Sequence, residues 1–147
     1  MKSNLDDYLK YWRVIRQFAK IKYNLTQSDL DMLLFLYSEK YFSRDKFDEF
    51  DKLLGWDVMR FQNLVKNEWI IRFRNRVGKR KALYKLTHKA EAMIQSLYRK
   101  LSGEEIPTSS VGNKLFQKNV SYTDKAYRDM IIKMNAVIKQ QRHQIRE

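Results

Sequence analysis

The sequence predicts a mainly helical chain with one small β-hairpin. Three observations carry that expectation. A single Pro and four Gly among 147 residues leave long stretches without a breaker, and those stretches are rich in Leu, Lys, Asp and Gln, so helix should dominate. Across most of the chain the apolar residues recur three and four positions apart, the spacing of one helical face. On both sides of Gly78 that spacing gives way to alternation, the spacing of a strand.

Taken in order, Leu9, Trp12, Ile15, Phe18 and Ala19 predict a first helix over Asp6 to Lys22, with Asp6 and Asp7 at its favourable N-terminal end. Thr26-Gln27-Ser28-Asp29 offers capping groups for a second helix whose Leu30, Leu33, Leu34, Leu36 and Tyr37 make it almost continuously apolar and therefore central. Ser43 or Asp45 caps a third, carrying Phe47, Phe50, Leu53 and Leu54 and stopping near Gly55. Asp57 caps a fourth, with Val58, Phe61, Leu64 and Val65 expected inward. Two short helices joined by a Gly-containing turn form a helix-turn-helix pattern.

The hairpin follows at once. Ile71 and Phe73 alternate with Arg72 and Arg74 before a Val77-Gly78 turn, and Leu83 alternates with Tyr84 and Lys85 after it, so one face is expected apolar and the other cationic. Thr87 then caps a fifth helix with Ala90, Met93, Ile94, Leu97 and Leu101 inward. Residues 102–120 hold the only Pro and many small polar residues and read as a linker or loose loop. A last helix, Tyr122 to Ile145, places Tyr127, Met130, Met134, Val137, Gln141 and Ile145 in a narrow stripe suited to a partner helix.

Charge is concentrated on one part of this plan. From Trp69 to Ser102 ten Lys or Arg face the single acid Glu91, whereas residues 1–68 hold 12 basic and 11 acidic groups. Charge gathered on one element speaks for a docking surface, and spread evenly would speak mainly for solubility. A basic hairpin is suited to holding a polyanion. Hydrophobic residues at 44% and aromatics at 14% exclude a disordered basic tail.

The order helix, helix, helix-turn-helix, basic hairpin, helix, helix is that of a winged helix-turn-helix, and the sequence resembles the MarR family of dimeric transcription regulators. Leu25-Thr26 before the second helix resembles the family's Leu-Thr start. Leu64-Val65-Lys66-Asn67-Glu68-Trp69-Ile70 runs from recognition helix into wing strand as in family members, and Arg80 stands six residues before Leu86-Thr87, where the family's wing arginine precedes its Leu-Thr. The match covers about residues 5–101. Glu68 stands where the family usually has Gly, and Gly78 where it usually has the Asp that orients the wing arginine. The resemblance implies a mainly α fold with a small hairpin wing, divided into an N-terminal dimerisation helix (1–24), a winged helix-turn-helix domain (25–101), the linker (102–120) and a C-terminal dimerisation helix (121–147).

If the fourth helix is the recognition helix, the face opposite Val58, Phe61 and Val65 is expected to present Met59, Arg60, Asn63, Lys66 and Asn67. Arg binds guanine O6 and N7 bidentately and Asn pairs with adenine N6 and N7, which makes Arg60 and Asn63 the expected base contacts. Arg72, Arg74, Arg76, Lys79, Arg80 and Lys81 are expected to hold phosphates, their charges reinforcing one another within a Debye length of ~8 Å, with Arg80 reaching toward a minor groove. The expected partner is double-stranded DNA. A homodimer would use Trp12, Ile15, Phe18, Met130, Met134 and Val137, or these stripes pack within one chain. Tyr8, Tyr11, Trp12, Tyr23, Phe35, Tyr37, Tyr41 and Phe42 either line a pocket for a small aromatic effector, as the resemblance implies, or fill the core.

Other chemistry finds no support. The chain has no Cys, which removes thiolate catalysis and Cys-based zinc sites. His88 and His143 lie far apart, and Asp45, Asp48, Glu49 and Asp51 are spread around a helix as a solvated face. No Gly-rich phosphate loop, nucleophile elbow or HExxH motif occurs, so neither an enzyme nor a cofactor is expected. No run reaches roughly 18 apolar residues and the first residues lack a secretory core, so the expected location is the cytoplasm and no membrane partner is expected. Two readings stay open: a DNA-binding transcription regulator, or a nonspecific nucleic-acid-binding or structural protein, packaging or virion-associated, on the same fold.

Overall fold

The computed structural model describes residues 8–146, with side chains through His143; the expected helix start at Asp6 and Asp7 lies outside the described residues. Among these are α1 (Tyr8–Tyr23), α2 (Gln27–Tyr37), α3 (Arg44–Leu53), α4 (Arg60–Lys66), β1 (Ile70–Arg74), β2 (Leu83–Leu86), α5 (His88–Leu101) and α6 (Tyr122–Arg146), with a 3₁₀ turn at Lys114–Phe116. The fold is mainly helical with one antiparallel hairpin, and the succession α2, α3, α4, β1, β2 is a winged helix-turn-helix. No described helix is long and apolar enough to cross a membrane.

The chain forms two compact units, Thr26–Gln95 and residues 1–25 with 96–147. In the first, α2 begins where the Thr26 side chain accepts from the Asp29 amide, and α3 where Ser43 accepts from the Lys46 amide, so one orphan amide of each first turn meets a short polar side chain. Thr87 does the same for the Ala90 amide and also donates its hydroxyl proton to the Glu68 carbonyl at 2.7 Å. Leu30, Met32, Leu33 and Leu36 of α2 are buried with Phe42, Phe47, Phe61, Leu64 and Ile70. Phe61 ties the pieces together: its ring meets Phe47 of α3 edge-on at 5.1 Å and Tyr84 of β2 at 4.9 Å. That ring contact fixes α4 against both α3 and the hairpin, worth roughly 0.5–1.5 kcal/mol per aromatic pair beyond area burial.

β1 and β2 pair Ile70 with Leu86 and Arg72 with Tyr84, with an irregularity between Arg72 and Arg74. Phe42 exchanges two backbone hydrogen bonds with Tyr84, at 3.0 and 2.8 Å, and so extends the ladder by one bridge. The turn is centred on Gly78 and Lys79, one residue later than expected, closed by reciprocal bonds between Val77 and Arg80. Gly78 has φ +59, the left-handed value that the first central position of such a tight turn demands.

In the second unit, Val14, Ile15, Phe18 and Ala19 of α1 are buried with Ile131, Met134 and Ile138 of α6. The buried row of α6 is shifted by about one residue from the expected stripe. Ile15, Phe18 and Met134 are consumed by packing inside one chain and are not dimer contacts. Trp12 and Met130 are half-buried, and Val137 is exposed.

Residues 102–120, expected as a loose linker, are packed. Ile106 and Leu115 are buried, and Asn135 of α6 clasps the Ile106 backbone, accepting from its amide at 3.0 Å and donating to its carbonyl at 2.9 Å. Asn113 likewise donates to the Pro107 carbonyl and accepts from the Leu115 amide. Two asparagines satisfy backbone groups that would otherwise be stranded in the core.

Candidate nucleic-acid interface

The turn between α3 and α4 is held by charge. Arg60 opens α4 but is only 6% exposed. Its guanidinium donates to Asp51 of α3, to Asp29 Oδ1 of α2 at 3.0 Å and to the Gly55 carbonyl at 3.1 Å. The other Asp51 oxygen accepts from the Asp57 amide at 3.1 Å. Burial alone would lower the Arg60 pKa, but the hydrogen bonds to Asp51 and Asp29 and their charges outweigh it and raise it. The side chain therefore stays cationic and locked. Gly55, at φ +85, makes the reversal that lets its carbonyl reach Arg60.

This corrects the sequence reading of α4. Arg60 is not a base contact but the pin of the helix-turn-helix. The buried face consists of Arg60, Phe61 and Leu64, while Val58 and Val65, expected inward, are 61% and 39% exposed. The reason is long-range: the carboxylates that draw Arg60 inward lie on two other helices. Asp57 caps the approach rather than the helix, its carboxylate accepting from the Met59 amide at 2.9 Å. Met59, Asn63, Lys66 and Asn67 face solvent as expected, and they are joined by Gln62, which the sequence reading missed. A helical wheel registered on Arg60 as a buried residue would have found it.

Beside α4 stands the wing. From Arg72 to Lys85 there are seven Lys or Arg and no acid. Its expected apolar face is not buried: Ile71 and Phe73 are each about half exposed, and the Phe73 ring stacks on Tyr41 at 4.3 Å. Three guanidiniums are held within the hairpin. Arg72 donates to Asn75 Oδ1, Arg74 to the Lys81 carbonyl and Arg76 to the Gly78 carbonyl, at 3.0–3.1 Å. These bonds set direction without neutralising charge. Lys81 pairs with Asp45 at the start of α3 and, through that bond and its charge, holds the Asp45 carboxyl below its usual range. Among the described residues no carboxylate pairs with Arg72, Arg74, Arg76, Lys79 or Arg80, and all but the half-buried Arg74 are exposed.

Between the start of α3 and the wing lies a depression of about 260 Å³ lined by Arg44, Asp45, Arg76, Lys81, Ala82 and Tyr84. Arg44 lies over the Phe61 ring at 4.2 Å and donates to Asp48 at 3.1 Å. The acidic group of α3 is thus a set of ion-pair partners: Asp45 with Lys81, Asp48 with Arg44, Glu49 with Lys46 and Asp51 with Arg60. Of the aromatic residues expected either in a ligand pocket or in the core, Phe42 is buried, Phe35 packs on Phe50 at 5.3 Å and Tyr41 on Phe73.

The surface so assembled presents amides and apolar groups from α4 and a field of cations from the wing. Chemically it can hydrogen-bond a base edge, contact a methyl group and attract phosphates. The departure at Glu68 has a structural counterpart: its φ is +63, so the position between α4 and β1 demands the left-handed conformation for which Gly is suited.

Neither a family model nor a curated protein matches the sequence. In chain path it is similar to several solved structures. A disulfide-formed AbfR is 15% identical, with 97% of this chain and 89% of that chain covered and a TM-score of 0.46. A mutant MarR from E. coli complexed with operator DNA is 18% identical, with 89% and 97% covered and a TM-score of 0.45. A reduced AbfR bound to DNA is 16% identical, with 95% and 90% covered and a TM-score of 0.44.

Proposed function

We propose that the unit Thr26–Gln95 binds duplex DNA, with the solvent face of α4 in the major groove and the wing on the phosphates, and that the protein is a cytoplasmic, MarR-like, dimeric transcription regulator. One observation carries this reading: an acid-free run of seven cations is folded beside a short helix whose outer face offers Gln62, Asn63 and Lys66. Like charges crowded on one hairpin repel one another, and a polyanion relieves that repulsion. The wing supplies attraction and α4 supplies discrimination.

The decisive experiment is a selection of bound duplexes from a random pool at about 150 mM salt. A regulator enriches a motif, and a dimer enriches a palindrome with half-sites ~34–36 Å apart. Asn63→Ala should then relax the preference, while Lys79→Ala weakens all duplexes alike. Binding without a motif would overturn the regulator and leave the nonspecific structural binder. Sedimentation of the free protein tests the dimer, whose contacts in this proposal are Trp12, Met130 and Val137.

A further inference from the structure

Burial of Arg60 changes what α4 can read. Arginine is the side chain that most often recognises guanine in the major groove, and the single guanidinium of α4 is spent on Asp51 and Asp29. What remains outward on α4 and its cap is Met59, 48% exposed, with Gln62, Asn63 and, in the last turn, the 39% exposed Val65. Val58, just before the helix, is 61% exposed. These side chains set apolar groups beside the amides of α4, on the unit that also carries the cationic wing. Gln and Asn match the N6 donor and N7 acceptor of adenine, and apolar groups match the C5 methyl of thymine. These are the two partners of one base pair.

Resting on the DNA-binding reading above, we infer that α4 is a major-groove reader of A·T base pairs, with Gln62 and Asn63 on adenine edges and Met59 and Val65 against thymine methyls. The occupant follows from charge as well as shape. The cations of Arg72 to Lys85 stand in the same unit as α4 and attract a polyanion, which a hydrophobic protein partner is not. Lys66, the one free cation of α4 among the described residues, follows Val65 in the last turn, where an ammonium suits a phosphate beside the groove.

Base analogues separate this from an A·T preference created by wing arginines in the minor groove. An inosine·cytosine pair presents the major groove of G·C but lacks the N2 amino group, so its minor groove resembles A·T. An adenine·uracil pair keeps both grooves of A·T except for the methyl. Affinities of the full chain for duplexes of equal length built from A·T, G·C, I·C and A·U pairs therefore locate the reading. The expected result is that I·C binds as weakly as G·C, and that A·U loses about fourfold per contacted methyl. Met59→Ala with Val65→Ala, both solvent-facing substitutions, should abolish the difference between A·T and A·U while leaving the difference between A·T and G·C. Equal affinity for A·T, A·U and I·C assigns the preference to the minor groove and overturns the inference. Equal affinity for all four duplexes overturns it and leaves DNA binding standing. No binding to any duplex overturns the DNA-binding reading itself.

Discussion

Arg60 and Arg80 are the same residue in one folded unit, and they have opposite fates. Arg60 is buried, meets two carboxylates and a carbonyl, and holds α4 to α2 and α3. Arg80 is exposed on the wing and pairs with no carboxylate among the described residues. Sequence counts them as equal units of positive charge. What separates them is the distribution of acids: Asp29 and Asp51 lie within reach of Arg60, whereas no acid occurs between Glu68 and Glu91. A cation is available to a ligand where the fold has supplied no counter-charge.

The comparison breaks most sharply at Arg60. Arg60→Ala leaves the Asp51 carboxylate, 3% exposed, without its cation, and removing one partner of a buried pair typically costs about 3–5 kcal/mol. We expect a large drop in the urea midpoint and loss of DNA affinity through unfolding of the helix-turn-helix. Arg60→Met combined with Asp51→Leu should recover much of the stability, since an apolar pair avoids the desolvation of two charges. If the single variant keeps the wild-type midpoint, Arg60 is not the pin.

A second buried cation, in the other unit, sharpens the distinction between a paired arginine and a paired lysine. Lys100 donates to Ser96 Oγ at 2.8 Å and to Glu104 at 3.3 Å, and its ammonium lies 5.6 Å from the Phe18 ring centroid. Burial lowers its pKa and the charges of Lys22 and Arg99 add to the lowering, against the hydrogen bond and charge of Glu104. For Glu104 burial would raise the pKa, but Lys100 and Arg99 bring it below 4.5. A carboxyl depressed on folding adds stability above its unfolded value, and the addition fades as pH falls through the lower folded value. Glu104 is partly exposed, so its share is screened. Glu104→Gln should cost about 1 kcal/mol at neutral pH, with the gap to wild type closing below pH 4.5. Urea titrations at several pH values measure this, and a pH-independent gap would exclude the ion pair as its source.

These pairs also mark how far the sequence could be read. Helix order, the capping residues Thr26, Ser43 and Thr87, and the hairpin around Gly78 were legible because each is a local pattern. The phase of α4 was not, because Arg60 is drawn inward by Asp51 and Asp29, nine and 31 positions away, and no periodicity encodes a partner on another helix. Residues 102–120 looked like a linker because Ile106 and Leu115 stand among small polar residues; the Asn135 bonds that admit Ile106 to the core come from 29 positions away, while Asn113 serves Leu115 from two positions away. Of the candidate interface, the wing was legible as charge. Gln62 was missed through the error in phase.

Glu68 tests the junction between pin and wing with a smaller effect. A left-handed backbone costs a non-glycine residue roughly 1–2 kcal/mol, and glycine gives back part of the relief as chain entropy. Glu68→Gly should therefore raise stability by about 0.5 kcal/mol, and removing a negative charge beside the wing should tighten DNA binding at low salt. A lower melting temperature would mean that the Glu68 side chain contributes more than its backbone conformation costs.

Arg80→Ala completes the comparison, because its effect on stability should be the smallest of all. An exposed side chain without a fixed partner has little to lose on truncation, and such changes stay within about 0.5 kcal/mol. The loss should appear instead in binding. Each phosphate contact removed lowers the dependence of log affinity on log salt by about one unit, so Arg80→Ala should flatten that slope while the melting temperature stays where it was. Arg60→Met with Asp51→Leu should leave the slope intact, since Arg60 faces no phosphate. A flattened slope in that double variant would place Arg60 in the interface after all, and an unchanged slope in Arg80→Ala would remove Arg80 from it.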